Sequence, residues 1–513
     1  MLAQVHSFVL QGIEPLACEV EVDVSESGLP KTTIVGLPDA AVKESLERVR
    51  SAIVNSGYPF PMARLLVSLA PGDVRKEGPI YDLPIAVGLL LAGGVVTGNA
   101  HKRFLVAGEL ALDGRVRPIA GVINLALLAK RMGMDGVVVP SENASEASAV
   151  DGIDVYAASS LATVVGFLNG ALELEPVPPS EYAVGRGDGA GSDAVIDFSD
   201  IRGQEGVKRA LMVAAAGGHN VLMIGPAGTG KSMCAKALPG ILPPLSRDEA
   251  LEVTRVYSAV GKAPRGEPLI TERPVRAPHH TASPVAVVGG GGVPRPGEVS
   301  LAHHGVLFLD EMPEFPRAVL ETLRQPLEDG EVSIARASGS VRFPARFMLV
   351  GAMNPTPKGD MPADEVGHKA MERYLSKLSG PLIDRVDIHV EVPPVPYEQL
   401  RGRASGTGSA ALRERVVAAR HIQAARNGGS LKPNAALSGR ELDKWAELDA
   451  SAASLLKSAM QELGLSARAY DKVRRVARTL ADLDGGGGGG GGGAITMEHV
   501  AEAVGYRLLD RQM

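Results

Sequence analysis

Cysteine is almost absent: the 513 residues hold two, Cys18 and Cys234, in stretches that read as different domains. That excludes a disulfide framework and fits a reducing, cytoplasmic setting. Aromatic residues are scarce as well, with Trp445 the only tryptophan. There is no surplus of positive charge; the formal net charge of −6 argues against a uniformly basic surface, although a local basic pore can sit inside an acidic protein. Long hydrophobic runs are missing too. The longest, 83–91 and on to 96, is too short and too broken by glycine to span a bilayer. The N-terminus MLAQVHSFVLQG lacks a basic region ahead of a long apolar core, so no signal peptide is expected. The length predicts roughly three domains.

One stretch organises the rest. Val221 to Ile224 is a short apolar run that reads as a buried strand, and it ends in Gly225-Pro226-Ala227-Gly228-Thr229-Gly230-Lys231-Ser232. This fits G-x-x-x-x-G-K-[ST], placed between a strand and a helix as its mechanism requires. The glycines let the backbone curl so that successive N–H groups converge on phosphate oxygens. The following helix, about 231–238, points its positive dipole end at the same anion. Lys231 supplies a charge for the β- and γ-phosphates, and Ser232 a hydroxyl for Mg²⁺. The stretch on its own predicts a nucleotide-binding site.

Around it, 1–172 alternates strand patterns (5–10, 18–24, 64–69, 104–107, 137–139, 155–157) with amphipathic helices (39–56 and one from 84) and reads as a separate α/β domain. A Gly-Leu-Pro turn is expected at 28–30. Residues 173–195, rich in Pro and Gly, read as a linker. Strand and helix alternate again over 196–394, which implies a parallel sheet. Residues 395–513 are mostly helical, with helices at 410–426, 438–448, 452–463, 467–482 and 497–509. Nine glycines, 485–493, read as a surface loop.

Four further places carry candidate chemistry. The apolar strand 305–309 ends in Asp310-Glu311, about eighty residues after the phosphate loop, where Asp310 would hold Mg²⁺ and Glu311 would polarise the attacking water. A third strand, 349–353, ends in Asn354, which either aligns that water or forms an Asn-Pro turn. Arg385 either reaches a neighbouring subunit's γ-phosphate or pairs locally with Asp384 and Asp387. Arg468, in the first turn of a helix behind Ser466, either contacts nucleotide or is solvated. Residues 287–297 are too rich in Gly and Pro for a regular element, and 331–347 reads as a β-hairpin. Arg295, Arg336 and Arg342 on these loops are candidates for meeting a DNA backbone. The pairs His279-His280 and His303-His304 suggest packing or loop hydrogen bonding ahead of a metal site.

The motifs in this order resemble an AAA+ ATPase. APHHTASPVAVVGGGGVPRPGEVSLAHHGVLFLDEMPEF and YLSKLSGPLIDRVDIHVEVP resemble the magnesium-chelatase-like ComM/YifB family over nearly the whole chain. The resemblance implies a central AAA+ P-loop NTPase α/β sandwich with a C-terminal helical lid. It also implies a helix-2 insert at about 285–300, a hairpin at 331–347 facing a central pore, and a ring hexamer with Arg385 acting in trans. ATP and Mg²⁺ would be the cofactors. Its implied activity is DNA branch migration that aids recombination and natural transformation, with recombination proteins as further partners.

The N-terminal domain resembles the Lon protease (S5-like) fold through 106–110 and 114–121. Lon enzymes need a Ser–Lys dyad, but this chain has Gly78-Pro79-Ile80 and Ile123-Asn124-Leu125 at those places, so an ATP-dependent peptidase is disfavoured. A magnesium-chelatase motor that inserts metal into a porphyrin is the other alternative. The cysteine cluster that many relatives carry after the third strand is absent from 354–359, so a metal-stabilised loop is not expected there.

Overall fold

The computed structural model describes residues 1–25, 30–182, 196–336, 339–356, 369, 374–401, 406–485 and 493–507. The 28–30 turn, most of the glycine run, the far end of the last helix and the Arg336 side chain therefore lie wholly or partly outside the described residues.

The N-terminal unit is built on a four-stranded sheet. Leu2–Gln11 and Glu14–Ser25 pair antiparallel, Arg64–Ala70 pairs antiparallel with the second, and Lys31–Val35 runs parallel to it at the edge. Alternating residues Val5, Val20, Val22, Leu65, Val67 and Leu69 are buried, as a half-covered sheet requires. They face the helix Asp82–Ala92, every residue of which is buried. The longest apolar run is thus a core helix; no described helix is long and apolar enough to cross a membrane. Asp39 caps the helix Ala40–Asn55 by accepting from the Val42 N–H at 2.8 Å. A parallel sheet of Phe104–Val106, Gly136–Pro140 and Asp154–Ala158 completes the unit. The edge strand KTTIV escaped the sequence reading because it is polar and exposed, with no buried alternation.

The central unit has five parallel strands in the order Val275–Arg276, Val306–Leu309, Met348–Met353, Val221–Ile224 and Ile388–Glu391. The strand ending in Asn354 lies between the phosphate-loop strand and the one ending in Asp310. The expected irregular 287–297 stretch is corrected. The end of a helix Pro284–Val288 and a small antiparallel pair, Gly289–Gly290 with Arg295–Pro296, occupy it, and a helix Glu298–Leu301 follows. Ser283 caps the first helix through the Ala286 N–H, and glycines with positive φ at 289–291 make the reversal. The hairpin expected over 331–347 forms, its paired strands Glu331–Arg336 and Gly339–Pro344 ending three residues short of that bound.

The lid helices Ser409–Arg426, Gly439–Trp445, Ala450–Leu463, Ala467–Asp484 and Met497–Gly505 share one core with the central sheet. Inside the lid, Arg426 and Asp482, both fully buried, form a bidentate pair at 2.8 and 3.0 Å. Asn434 donates to the same carboxylate and Arg478 pairs with it as well, so the buried carboxylate is fully partnered, by two guanidinium groups and an amide.

The N-terminal unit is fastened to the central helix Arg247–Ala259. The Gly121 N–H donates to both the carbonyl and the hydroxyl oxygen of Ser258 at 3.0 Å, and Asn124 exchanges hydrogen bonds with Arg255. Part of the expected linker is pinned as well, since the Tyr182 hydroxyl donates to the Leu245 carbonyl. Buried Glu146 accepts from Ile123 N–H and from the Ser258 hydroxyl. Burial raises its carboxyl pKa, against the lowering pull of those donors and of Asn143. A raised folded value means that this joint is strongest with Glu146 protonated and weakens as pH rises above about 4.3 and through the raised value. The Glu146→Gln protein is therefore expected to show a flatter melting temperature than wild type between about pH 5 and about pH 8, measured by calorimetry.

Candidate ATP-binding and hydrolytic site

Parallel strands place their carboxyl ends together, and ligands bind in the crevice outside those ends. The paired ends Ile224 and Met353, with Leu309 beside Gly351, deliver the phosphate loop, Asn354 and Asp310 to one edge. Gly225 turns tightly against the last strand, where an added Cβ would stand 2.2 Å from the Val392 carbonyl oxygen. Gly228 and Gly230 have φ of +77° and +93° with open space where a Cβ would be. The cradle from Gly225 through Pro226, Ala227, Gly228, Thr229 and Gly230 is bare backbone at its centre. Thr229 Oγ1 donates to the Pro226 carbonyl at 2.9 Å, and Gln204 braces the Thr229 and Pro393 carbonyls from outside.

Lys231 opens the helix Lys231–Ala237 and folds back, donating to the carbonyls of Gly225 and Pro226 at 2.7 Å and to Asn354 Oδ1 at 3.0 Å. Burial lowers its pKa, while Asp310 and Glu311 pull it upward. An anion in the cradle is thus the natural partner of a cation held by neutral carbonyls alone. Ser232 Oγ donates to Asp310 Oδ2 at 2.7 Å. Two oxygen ligands at that separation suit a hard cation such as Mg²⁺, so the residues present fit both ATP and the metal. Asn354 turns its amide oxygen to Lys231, which an Asn-Pro turn alone would not require.

Glu311 is exposed and takes a left-handed backbone conformation, φ 50° and ψ 46°, rare outside Gly, Asn and Asp. Its N–H donates to Asp310 Oδ1 at 3.0 Å. Its carboxylate lies near His280, whose Nδ1 is 3.8 Å from Oε2. The sequence suggests only packing or loop hydrogen bonding for His280. Only the crossing of strand Val275–Arg276 beside strand Val306–Leu309 brings it here, and no local signal announces that.

The other histidine pair makes a hydrogen-bond clasp. Nε2 of His303 and of His304 lie 2.9 and 2.8 Å from Glu252 Oε2, and the three side chains would group around an ion. His303 Nδ1, however, accepts the Arg346 N–H at 3.0 Å. That assigns the neutral ring's proton to Nε2, the atom a metal would need bare. Burial also lowers the His303 pKa to about 4 despite Glu252, so this ring is neutral near pH 7.

Arg385 and Arg468 sit elsewhere. The Arg385 carbonyl accepts from Asn220 Nδ2 at 2.9 Å, and Asn220 precedes the phosphate-loop strand. Both arginines therefore lie at the amino ends of the strands, one strand length, about 13 Å, from the loop. Arg385 pairs with Glu328 and donates to the Pro381 carbonyl at 2.5 Å, rather than with Asp384 or Asp387. Arg468 is exposed, 3.6 Å from Asp384, and neither approaches Lys231 of its own chain. Arg295 and Arg342 are exposed on their hairpins, Arg342 3.5 Å from Glu331. It lies opposite Ser333, three rungs below the last pair of the hairpin, Arg336 with Gly339.

With this geometry established, the comparisons become specific. The models described as "Magnesium chelatase, subunit ChlI", "Subunit ChlI of Mg-chelatase" and "Magnesium chelatase, subunit ChlI C-terminal" match residues 197–400, 20–143 and 406–507. The YifB protein of Salmonella typhimurium is 44% identical, over 99% of this chain and 98% of its own. The competence protein ComM of Haemophilus influenzae is 44% identical over the same shares. The magnesium-chelatase 38 kDa subunit of Rhodobacter capsulatus is 33% identical over 34% of this chain and 54% of its own. Two relatives at that identity across the full length, together with a phosphate loop, acidic strand end and Asn354 meeting at one sheet edge, place the chain in the ComM/YifB family of magnesium-chelatase-like AAA+ proteins.

Proposed function

We propose that the protein is an ATP-hydrolysing ring motor, a hexamer, that moves branched DNA in the cytoplasm during recombination and natural transformation. The observation that carries the motor reading is the split site. Lys231, Ser232, Asp310, Glu311 and Asn354 converge at one sheet edge, while Arg385 and Arg468 stand at the other. A ring sets one edge of each subunit against the opposite edge of the next, so both arginines would serve a neighbour's nucleotide.

Bound ATP with Mg²⁺ supplies the transferable γ-phosphoryl group. Lys231 would exchange the Gly225 and Pro226 carbonyls for phosphate oxygens, and Ser232 and Asp310 would hold the metal. Glu311 would accept a proton from the attacking water at its carboxylate, with Asn354 orienting that water. The neighbour's Arg385 would offset charge in the transition state.

The DNA part of the reading is supported by the full-length similarity to a competence protein and by the exposed arginines Arg295 and Arg342 on two hairpins. The N-terminal unit, Lon-like in pattern, serves as scaffold: Ile80 and the stretch Ile123-Asn124-Leu125 stand where the resemblance would put a peptidase dyad, and Asn124 is committed to Arg255. A metal-chelatase motor is the second reading, favoured by the partial match to the 38 kDa subunit. The two part on stimulation. Steady-state ATP turnover is expected to rise severalfold with a four-way DNA junction and to ignore a porphyrin. Stimulation by porphyrin with Mg²⁺ and none by DNA would reverse the choice.

A further inference from the structure

We infer that Ile13, at the tip of the first β-hairpin, is a positioning residue that wedges the N-terminal unit against the second strand of the 331–344 hairpin. The two move as one body. The strands Leu2–Gln11 and Glu14–Ser25 are joined by a two-residue turn, Gly12-Ile13. A large apolar side chain at such a tip normally faces water. Ile13 is instead 3% exposed, buried in a small cluster of its own with Val256, Leu301, Val341 and Phe343. Those four come from three elements: the central helix Arg247–Ala259, the insert helix Glu298–Leu301 and the hairpin.

The fit leaves no slack. Gly12 has φ +69°, and a Cβ there would stand 2.4 Å from Val341 Cγ1 and 2.9 Å from Phe343 Cε1. Beside the tip, Glu14 pairs with Arg255 at 3.1 Å, which fixes how the turn enters. Beside this contact the surfaces part into a cavity of about 530 Å³, lined by Ile13 and Val341 and by charged groups, among them Glu252, Glu331, Arg342 and Arg346. The N-terminal unit thus meets the hairpin at Ile13 and Gly12, with a polar-lined cavity beside them. A hairpin that shifts with nucleotide state would carry the N-terminal unit with it, or expose Ile13.

Coupling to DNA rests on the function proposed above; the wedge itself does not. The test is hydrogen exchange on the full-length protein. Ile13→Ser is expected to speed exchange of the hairpin amides by about tenfold or more, with the amides of Val221–Ile224 unchanged. Ile13→Val, which refills the pocket, is expected to behave as wild type. Val341→Ala tests the same contact from the hairpin side and should give the same signature, which covers the case in which Ile13→Ser does not fold. In parallel, Ile13→Ser should keep ATP turnover within about twofold while junction movement per ATP falls. Unchanged hairpin exchange in a folded Ile13→Ser or Val341→Ala protein would overturn the inference. Wild type that moves no junction, with the exchange signature intact, would remove the DNA reading and leave the wedge standing.

Discussion

ATP turnover is expected to fall by about 10²–10⁴ in Glu311→Gln, the range that general-base catalysis supplies, while ATP binding survives. The substitution keeps the side chain's shape, and the left-handed turn that aims it is set by the backbone. The Glu311 N–H bond to Asp310 is retained too. Lys231, Ser232 and Asp310, the groups that would hold nucleotide and metal, are untouched. What is lost is a carboxylate able to take a proton, and with it the carboxylate's contact with His280. Single-turnover hydrolysis, set beside equilibrium binding of a fluorescent ATP analogue, separates the two effects. A loss below about tenfold would take Glu311 out of the base role.

Arg385→Ala is expected to cost about 10³–10⁵ in turnover, the range of an arginine finger, and to be rescued in mixtures. The residue's own chain gains little from it. Its partner Glu328 is largely exposed, and such pairs contribute about 0–1 kcal/mol, so the variant should fold. Its Nε is buried with no hydrogen-bond partner among the described residues, a side chain not fully provided for within one subunit. If the finger works in trans, Arg385→Ala subunits keep a sound phosphate loop, and Lys231→Ala subunits keep a sound finger. Random mixing of two inactive proteins then restores about a quarter of the interfaces. Mixtures as dead as their parents would place Arg385 outside the neighbour's site.

The phosphate loop and the acidic strand end were legible because they are local: a short apolar strand must stop where glycines or carboxylates begin. The helices of the lid were legible for a related reason, their apolar periodicity and capping residues. Several features were not, and each depends on partners far along the chain. The two-residue strand Val275–Arg276 carries no pattern, yet its place in the sheet brings His280 to Glu311. The remoteness of Arg385 from Lys231 follows from strand direction, which spacing does not reveal. The joint between Ser258, Gly121 and Glu146 spans more than a hundred residues and reads, in sequence, as an unremarkable serine. The 287–297 stretch misled in the opposite sense, because its glycines shape a small hairpin instead of marking an irregular loop.

The most direct measurement is strand exchange on a synthetic four-way junction with ATP, comparing wild type with Lys231→Ala. The account predicts that wild type moves the junction in step with hydrolysis, and that Lys231→Ala, stripped of its phosphate-loop cation, does neither. Wild type that hydrolyses ATP at full rate yet leaves the junction where it began would contradict it.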